Sequence, residues 1–377
     1  MAVTTLSSYP DQAKAHDAYR PVRIWLWSVA GLVFLMVLVG GATRLTDSGL
    51  SITEWRPITG AVPPLTAQGW EEELEKYRQI PEYQLQNRGM SMAEFQYIYW
   101  WEWGHRFLGR VIGLAFALPF VFFAVRRMLP PGSMPKLLGL FALGGLQGFI
   151  GWWMVASGLT DRVDVSQYRL AVHLTMAAII LGCIAWVAQS FKPLDMELKE
   201  RRSDPAQGAG FAAFLMVFVL FQIFLGALVA GLDAGLNYTT WPLMDDYLIP
   251  PNEKLFLLQP WYVNLGDNPL TVQFIHRMCA YALLAFAVYY AWRMGRTAED
   301  VKDAKMARAL AFIIAMQGVI GIVTLLTQVR VELALLHQFW AFMILMVCVL
   351  HLGRLRGNGF LEIPPQKNLR QKLARAR

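Results

Sequence analysis

The chain has 377 residues, of which 56% are hydrophobic and only 16% are charged. Soluble domains usually carry about 25% charged residues, so this composition excludes a disordered chain and an ordinary water-soluble enzyme. The formal charge of +7 raises nucleic-acid binding as one explanation, but the distribution of the basic residues gives another.

Apolar runs of about 20 residues recur along the chain, and each is long enough to cross the hydrocarbon core of a bilayer. Twenty-two of the 34 Lys and Arg residues lie in the two termini and in every second loop. By the positive-inside rule these segments face the cytoplasm, so the basic excess indicates topology and no nucleic-acid partner. The eight runs predict transmembrane helices near residues 24–42, 107–125, 137–157, 170–191, 211–231, 272–292, 309–328 and 333–353.

The polar segments divide the chain into two halves. Residues 1–23 form a cytoplasmic tail without the Arg- and Ser-rich character of an organelle transit peptide, which favours a bacterial inner membrane. The charged segment 192–210 is predicted to be a cytoplasmic linker between an N-terminal half, 24–191, and a C-terminal half, 211–353. A basic cytoplasmic tail, 354–377, follows.

The two halves repeat each other. Asp47 to Trp55 (DSGLSITEW) matches Asp233 to Trp241 (DAGLNYTTW), and LQGFIG at 146–151 matches MQGVIG at 316–321. Each half therefore holds four helices, and an even number places both copies in the same orientation. The predicted fold is an all-α integral membrane protein, with eight transmembrane helices in two tandem four-helix bundles related by a pseudo-twofold axis along the membrane normal.

Four of the six histidines occupy matching positions in the repeat. The second, fourth, sixth and eighth spans each carry one histidine close to the predicted outer end, and ionisable residues inside membranes are costly and usually functional. One histidine near a helix end is most often structural, but four at duplicated positions are hard to explain by packing. They are His105, His173, His276 and His337.

Imidazole pairs from facing helices are what a six-coordinate heme iron needs. A zinc site would need a third or fourth protein ligand in each half. The cysteines Cys183, Cys279 and Cys348 fall inside spans, and only Cys279 is placed to offer a thiolate near this depth. Two bis-histidine heme sites are therefore the favoured interpretation.

An arginine follows the first histidine of each half. Arginine binds carboxylates through forked, charge-assisted contacts, so these residues are candidates for holding heme propionates, with topology or headgroup contact as the ordinary alternative. The full set of candidates is Arg44, Arg56, Arg106, Arg110 and Arg277.

The halves differ three residues before that histidine, where Glu102 in the first half corresponds to Gln273 in the second. An i, i+3 pair shares one helix face, so Glu102 is expected to lie close to whatever His105 binds. A carboxylate can take a proton or stabilise a developing cation, and an amide cannot. The N-terminal half is therefore predicted to be reactive and the C-terminal half to be a cofactor or relay site, unless Glu102 merely reaches the outer aqueous face.

At these residues the chain resembles the heme A synthase family of eight-helix membrane enzymes, over roughly residues 20–355. The resemblance implies that His105 and His173 hold the substrate heme O, and that His276 and His337 hold a heme b cofactor. It also implies that Glu102 is essential for oxidising a porphyrin methyl group to a formyl group by successive hydroxylations. The motifs that carry it are GGATRLTDSGLSITEWRPITG, EFQYIYWWEWGHRFLGR, YRLAVHL, GLDAGLNYTTWPLM, QFIHR and ALLHQFWA.

The outer loops contain no cysteine, so the chain resembles the proteobacterial and mitochondrial branch, and the disulfide-assisted mechanism proposed for some bacterial members is not expected. The family also implies handover from heme O synthase and contact with oxidase assembly factors, while the apolar faces are compatible with a homo-oligomer.

Two rival functions share some of these features. A bis-histidine diheme cytochrome b would explain the histidines but not the difference between Glu102 and Gln273. A transporter with a parallel repeat would place polar groups near the midplane, where this sequence is almost wholly apolar.

Overall fold

The computed structural model of the chain describes residues 19–160, 162–192 and 208–358. Within these ranges the regular structure is helical, and eight helices are long and apolar enough to span a membrane. This confirms the predicted class and the predicted number of spans.

The helices are α1 Arg20–Leu45, α2 Met92–Val125, α3 Met134–Val155, α4 Gln167–Ser190, α5 Ala209–Gly231, α6 Pro269–Thr297, α7 Val301–Leu326 and α8 Val331–Leu355. Of the predicted cytoplasmic segments, residues 1–18, 193–207 and 359–377 lie outside the described ranges.

The second helix is much longer than the predicted span of 107–125. Residues 92–104, predicted as loop, form its first turns, because Ser91 and Glu94 make a reciprocal capping box that starts the helix at Met92. Phe95 and Tyr99 on this extension are buried in a cluster with the first loop. Aromatic packing outside the apolar run therefore extends the helix, and His105 lies well inside α2.

The helices pack as two rings of four. In the first ring α1 contacts α2 and α4, and α3 contacts α4; the second ring repeats these contacts with α5 to α8. The rings meet where α1 and α4 pack against α5 and α8. Gln338 on α8 donates to the Val37 carbonyl of α1 at 2.7 Å, and Gln189 on α4 donates to the Leu350 carbonyl of α8 at 3.1 Å. The pattern is the one a twofold axis would produce, although the axis itself stays a prediction.

One pair of helices breaks the resemblance between the rings. The α6 and α7 helices pack closely, whereas α2 and α3 touch over a short stretch only. Much of the surface beside this loose seam is apolar and exposed, including Leu114, Leu118, Phe141 and Phe149. The first ring is therefore the more open of the two.

The long connections cover one end of the rings, which we call the loop face and define by residues 46–91 and 232–268. The first connection contains helices at Ala67–Arg78 and Pro81–Leu85. The second contains single turns at Ala234–Asn237, Asn252–Leu255 and Asn264–Asp267. Asp47 and Asp233, which begin the two copies of the repeat motif, both adopt left-handed backbone conformations, with φ of 47° and 48°.

Candidate functional site

The four predicted histidines lie towards the loop-face ends of α2, α4, α6 and α8. His105 is close enough to His173 for an electrostatic interaction between the two imidazoles, and His276 is similarly close to His337. All four side chains are half-buried. The structure thus brings the histidines together in the predicted pairs, one pair in each ring.

Each imidazole lies against a glycine on the preceding odd-numbered helix. An added Cβ would come within 3.0 Å of the His105 ring at Gly40, 3.0 Å of His173 at Gly151, 3.2 Å of His276 at Gly226 and 2.7 Å of His337 at Gly321. A side chain at Gly321 would have to displace the His337 ring, and one at any of the other three positions would push its ring by a few tenths of an ångström. The glycines therefore make room for the imidazoles.

Three of the rings also contact a glutamine, four residues before the glycine. The Nε2 of Gln147 donates to the His173 carbonyl at 3.1 Å and lies 3.2 Å from its ring Nδ1. Gln222 makes the same contacts with His276, at 2.9 and 3.0 Å. Gln317 donates to the His337 carbonyl at 2.9 Å. These amides were not predicted from the sequence, although the repeated QGFIG and QGVIG segments contain two of them.

Glu102 is almost completely buried, with 2% of its surface exposed. Its Oε2 accepts hydrogen bonds from Ser51 Oγ at 2.8 Å and from the Ile52 amide at 2.7 Å. Its Oε1 accepts from the Nε and Nη2 of Arg106 at 3.1 and 2.6 Å. The carboxylate therefore does not reach the aqueous face, and it ties α2 to the first copy of the repeat motif.

Gln273 makes the corresponding tie in the second ring. Its Nε2 donates to the carbonyls of Ala234 and Tyr238 at 3.0 Å each, and its Oε1 accepts from Arg277 Nη2 at 3.1 Å. The Arg277 guanidinium also donates to the carbonyls of Leu243 and Tyr238. The architecture of the tie is the same in both rings, but the carboxylate is present in only one.

The candidate propionate-binding arginines differ in how their charge is balanced. Arg106 is paired with Glu102, and Arg56 with Glu54 at 2.6 Å. Arg44 bridges the rings, because it contacts Asp47 of its own motif and Asp233 of the other motif, both at 2.9 Å. These three cations already have anionic partners.

Arg110 and Arg277 have a different environment. Within the described ranges neither forms an ion pair, and both donate to backbone carbonyls. The Nη1 of Arg110 and the Nε of Arg277 are buried without a hydrogen-bond partner there. A cation with unused donors fits an anionic group, so the buried Arg277 and the half-buried Arg110 are the best placed for propionates.

The donor set fits a porphyrin iron better than a bare metal ion. No three His, Cys, Asp or Glu side chains cluster within the described ranges in a way that could hold an ion, whereas porphyrin iron needs only two axial ligands. Cys183, Cys279 and Cys348 are all free thiols. A heme in each ring is consistent with three features: the paired imidazoles, the glycines that make room for them, and the arginine nitrogens without hydrogen-bond partners.

The chain is similar to known proteins over most of its length. Residues 23–349 match the family model described as cytochrome oxidase assembly protein. Proteins named heme A synthase are similar over most of the chain: one from Azorhizobium caulinodans is 51% identical over 88% of this chain and 93% of its own length. One from Agrobacterium fabrum is 51% identical over 88% and 89%, and one from Bradyrhizobium diazoefficiens is 50% identical over 93% and 96%.

Proposed function

The chain belongs to the family of cytochrome oxidase assembly proteins that includes the heme A synthases, and from this premise we propose that it is an enzyme that oxidises heme O to heme A. The reaction changes one porphyrin methyl group to a formyl group by successive hydroxylations, a four-electron oxidation that adds one oxygen atom. The observation that supports it best is the presence of two half-buried histidine pairs, only one of which, among the described residues, has a buried carboxylate three residues before a histidine.

We assign the two pairs different roles. His105 and His173 bind the iron of the substrate heme O, and His276 and His337 bind a resident heme b that supplies electron transfer. The charge balance supports this division, because the buried Arg277 forms no ion pair among the described residues and interacts with the Asp245 carboxylate only at longer range, so it suits a permanently bound propionate. In the first ring Arg110 has the equivalent unused donor.

Glu102 is proposed to act as a fixed negative charge beside the substrate. Its two oxygens accept four hydrogen bonds, so its position is set before the substrate binds, as electrostatic stabilisation requires. A carboxylate held three residues before His105 can stabilise positive charge that develops at the methyl carbon or orient water towards it. Gln273 holds the same place in the second ring without that charge.

The predicted topology places the reaction at the outer side of a bacterial inner membrane, with both termini in the cytoplasm. The basic residues of the alternate loops support this orientation. We propose heme O synthase and oxidase assembly factors as handover partners, as the family resemblance implies. The exposed apolar flanks permit a homo-oligomer.

The deciding experiment is expression in a host that makes heme O but no heme A, followed by heme extraction and chromatography. We expect heme A, or its hydroxylated precursor, together with heme b. Heme b alone, at two per protein, would overturn the synthase assignment and identify a diheme cytochrome b. A purified protein without heme would overturn both the synthase assignment and the cytochrome b alternative.

A further inference from the structure

The odd-numbered helices share a pattern that one of them breaks. In α3, α5 and α7 a glutamine precedes the histidine-facing glycine by four residues, as Gln147, Gln222 and Gln317. In α1 the residue four positions before Gly40 is Met36. His105, which faces Gly40, is therefore the one histidine of the four without an amide on the helix opposite.

The three amides have a hydrogen-bonding capacity that protein contacts leave unused. The Oε1 atoms of all three glutamines are buried without a partner among the described residues, and so is His337 Nδ1. The Nε2 of each glutamine donates to the carbonyl of its histidine and lies within 3.5 Å of a nitrogen of the same ring. The amide thus contacts both the backbone and the ring edge of the histidine and is placed to fix how the imidazole is turned.

The surroundings of His105 are different in two further ways. Its ring presents Nε2 and Cδ2 to the glycine, whereas the other three rings present Cε1. Within the described ranges its ring has no hydrogen-bond partner, and Met36 instead packs its Cε close to Gly109, one turn beyond His105 on α2. A thioether cannot donate a hydrogen bond and is only a weak acceptor, so among the described residues no side-chain hydrogen bond from α1 fixes the orientation of this imidazole.

We propose that Gln147, Gln222 and Gln317 are positioning residues that hold their imidazoles in the iron-binding orientation, and that Met36 leaves His105 as the ligand that readily releases its heme. The inference rests on the proposed function, since a substrate heme must enter and leave while heme b stays. Partners of this type typically contribute about 10- to 100-fold in metal affinity. The loose seam between α2 and α3 lies in the same ring as His105 and gives such a heme a route to the bilayer.

The test is heme transfer from the purified full chain to excess apomyoglobin, followed optically. We expect the wild type to lose one heme quickly and the other slowly. Met36→Gln should slow the fast phase by about 10- to 100-fold, and Met36→Leu, which keeps the size but adds no amide, should not. Gln222→Met should accelerate the slow phase by a similar factor.

Electron paramagnetic resonance of the oxidised protein gives a second readout that does not depend on turnover. The low-spin signal of the first-ring heme should sharpen in Met36→Gln as the His105 plane becomes fixed. Equal release rates in Met36→Gln and Met36→Leu would overturn the inference. If Met36→Gln does not fold, the Gln222→Met variant is sufficient: an unchanged slow phase of heme release in that variant would by itself overturn the inference.

These outcomes are separable from failure of the proposed function. Heme A production by the wild type is scored in the same cells, whereas heme release is measured without catalysis. A wild type that shows both phases but makes no heme A would refute the synthase activity and leave the ligand assignment in place. A wild type with a single slow phase would refute the ligand assignment.

Discussion

In the first ring, a carboxylate and a guanidinium four residues apart tie the helix to its loop; in the second ring, an amide and a guanidinium do so. Glu102 with Arg106 and Gln273 with Arg277 hold equivalent segments of the repeat motif. The pairs differ by one charge, because Arg106 is paired with a carboxylate and Arg277 with an amide. The same hydrogen-bonded arrangement is thus kept in both rings, while the exchange of Glu102 for Gln273 places a negative charge next to the arginine in the first ring only.

Glu102→Gln, which makes the first ring resemble the second, should have the largest effect. Arg106 loses its counter-ion, and the fixed negative charge beside the substrate is lost. Removing one catalytic electrostatic or acid–base group typically costs about 100-fold or more in rate, so heme A formation should fall by at least that factor. Extracted hemes, quantified by chromatography, should show normal heme O and heme b loading. Full formyl production with normal loading would refute the role of Glu102.

Arg106→Gln tests whether the Glu102–Arg106 ion pair stabilises the packing of the first loop against α2. It leaves the Glu102 carboxylate buried without its cation, and breaking a buried ion pair from one side costs about 3–5 kcal/mol. Limited proteolysis within residues 46–91 should become at least about a hundredfold faster. Arg277→Gln is the matched control, because it removes a charge without isolating a carboxylate; an equal effect of both variants would contradict the difference between the rings.

Gln273→Glu makes the second ring resemble the first and should have a smaller effect. The new carboxylate neutralises Arg277 and weakens its attraction for a propionate, so retention of heme b during purification should fall by about tenfold, as expected for one charge-assisted contact. Gln273→Asn keeps the amide and serves as the control. If heme b were retained equally in Gln273→Glu, Arg277 would not bind the propionate.

The two loops should also respond differently to pH. Glu82 in the first loop is buried, and this burial raises the pKa of its carboxyl to about 8, although the Tyr77 hydroxyl donates to it at 3.1 Å. Because the pKa is raised, the folded state binds this proton more tightly than the unfolded state does. The resulting stabilisation is fully present below pH 4.5, the unfolded pKa, and it is lost as the pH rises through 8. Protection of residues 46–91 from proteolysis should therefore fall by about tenfold between pH 7 and 9.

Glu82→Gln should remove most of that pH dependence, while cleavage in the second loop serves as an internal reference. Identical pH profiles for the variant and the wild type would show that Glu82 does not titrate in this range.

The sequence predicted the eight spans and the histidine positions because hydropathy and the repeat determine both. It did not predict that α2 begins at Met92, since the extension depends on a cap and on aromatic contacts with a distant helix. It associated Glu102 with His105 through the i, i+3 spacing, whereas the closest partner is Arg106 at i+4. The role of Gln222 was also missed, because a single amide in an apolar helix becomes meaningful only when its contact with His276 is known.

Arg44 has a consequence for the symmetry of the repeat. It joins both motif aspartates across the junction of the rings, but the matching position in the second half, 186 residues later, is Ala230. The contact is therefore asymmetric: each half supplies one aspartate, and only the first half supplies the guanidinium that joins them.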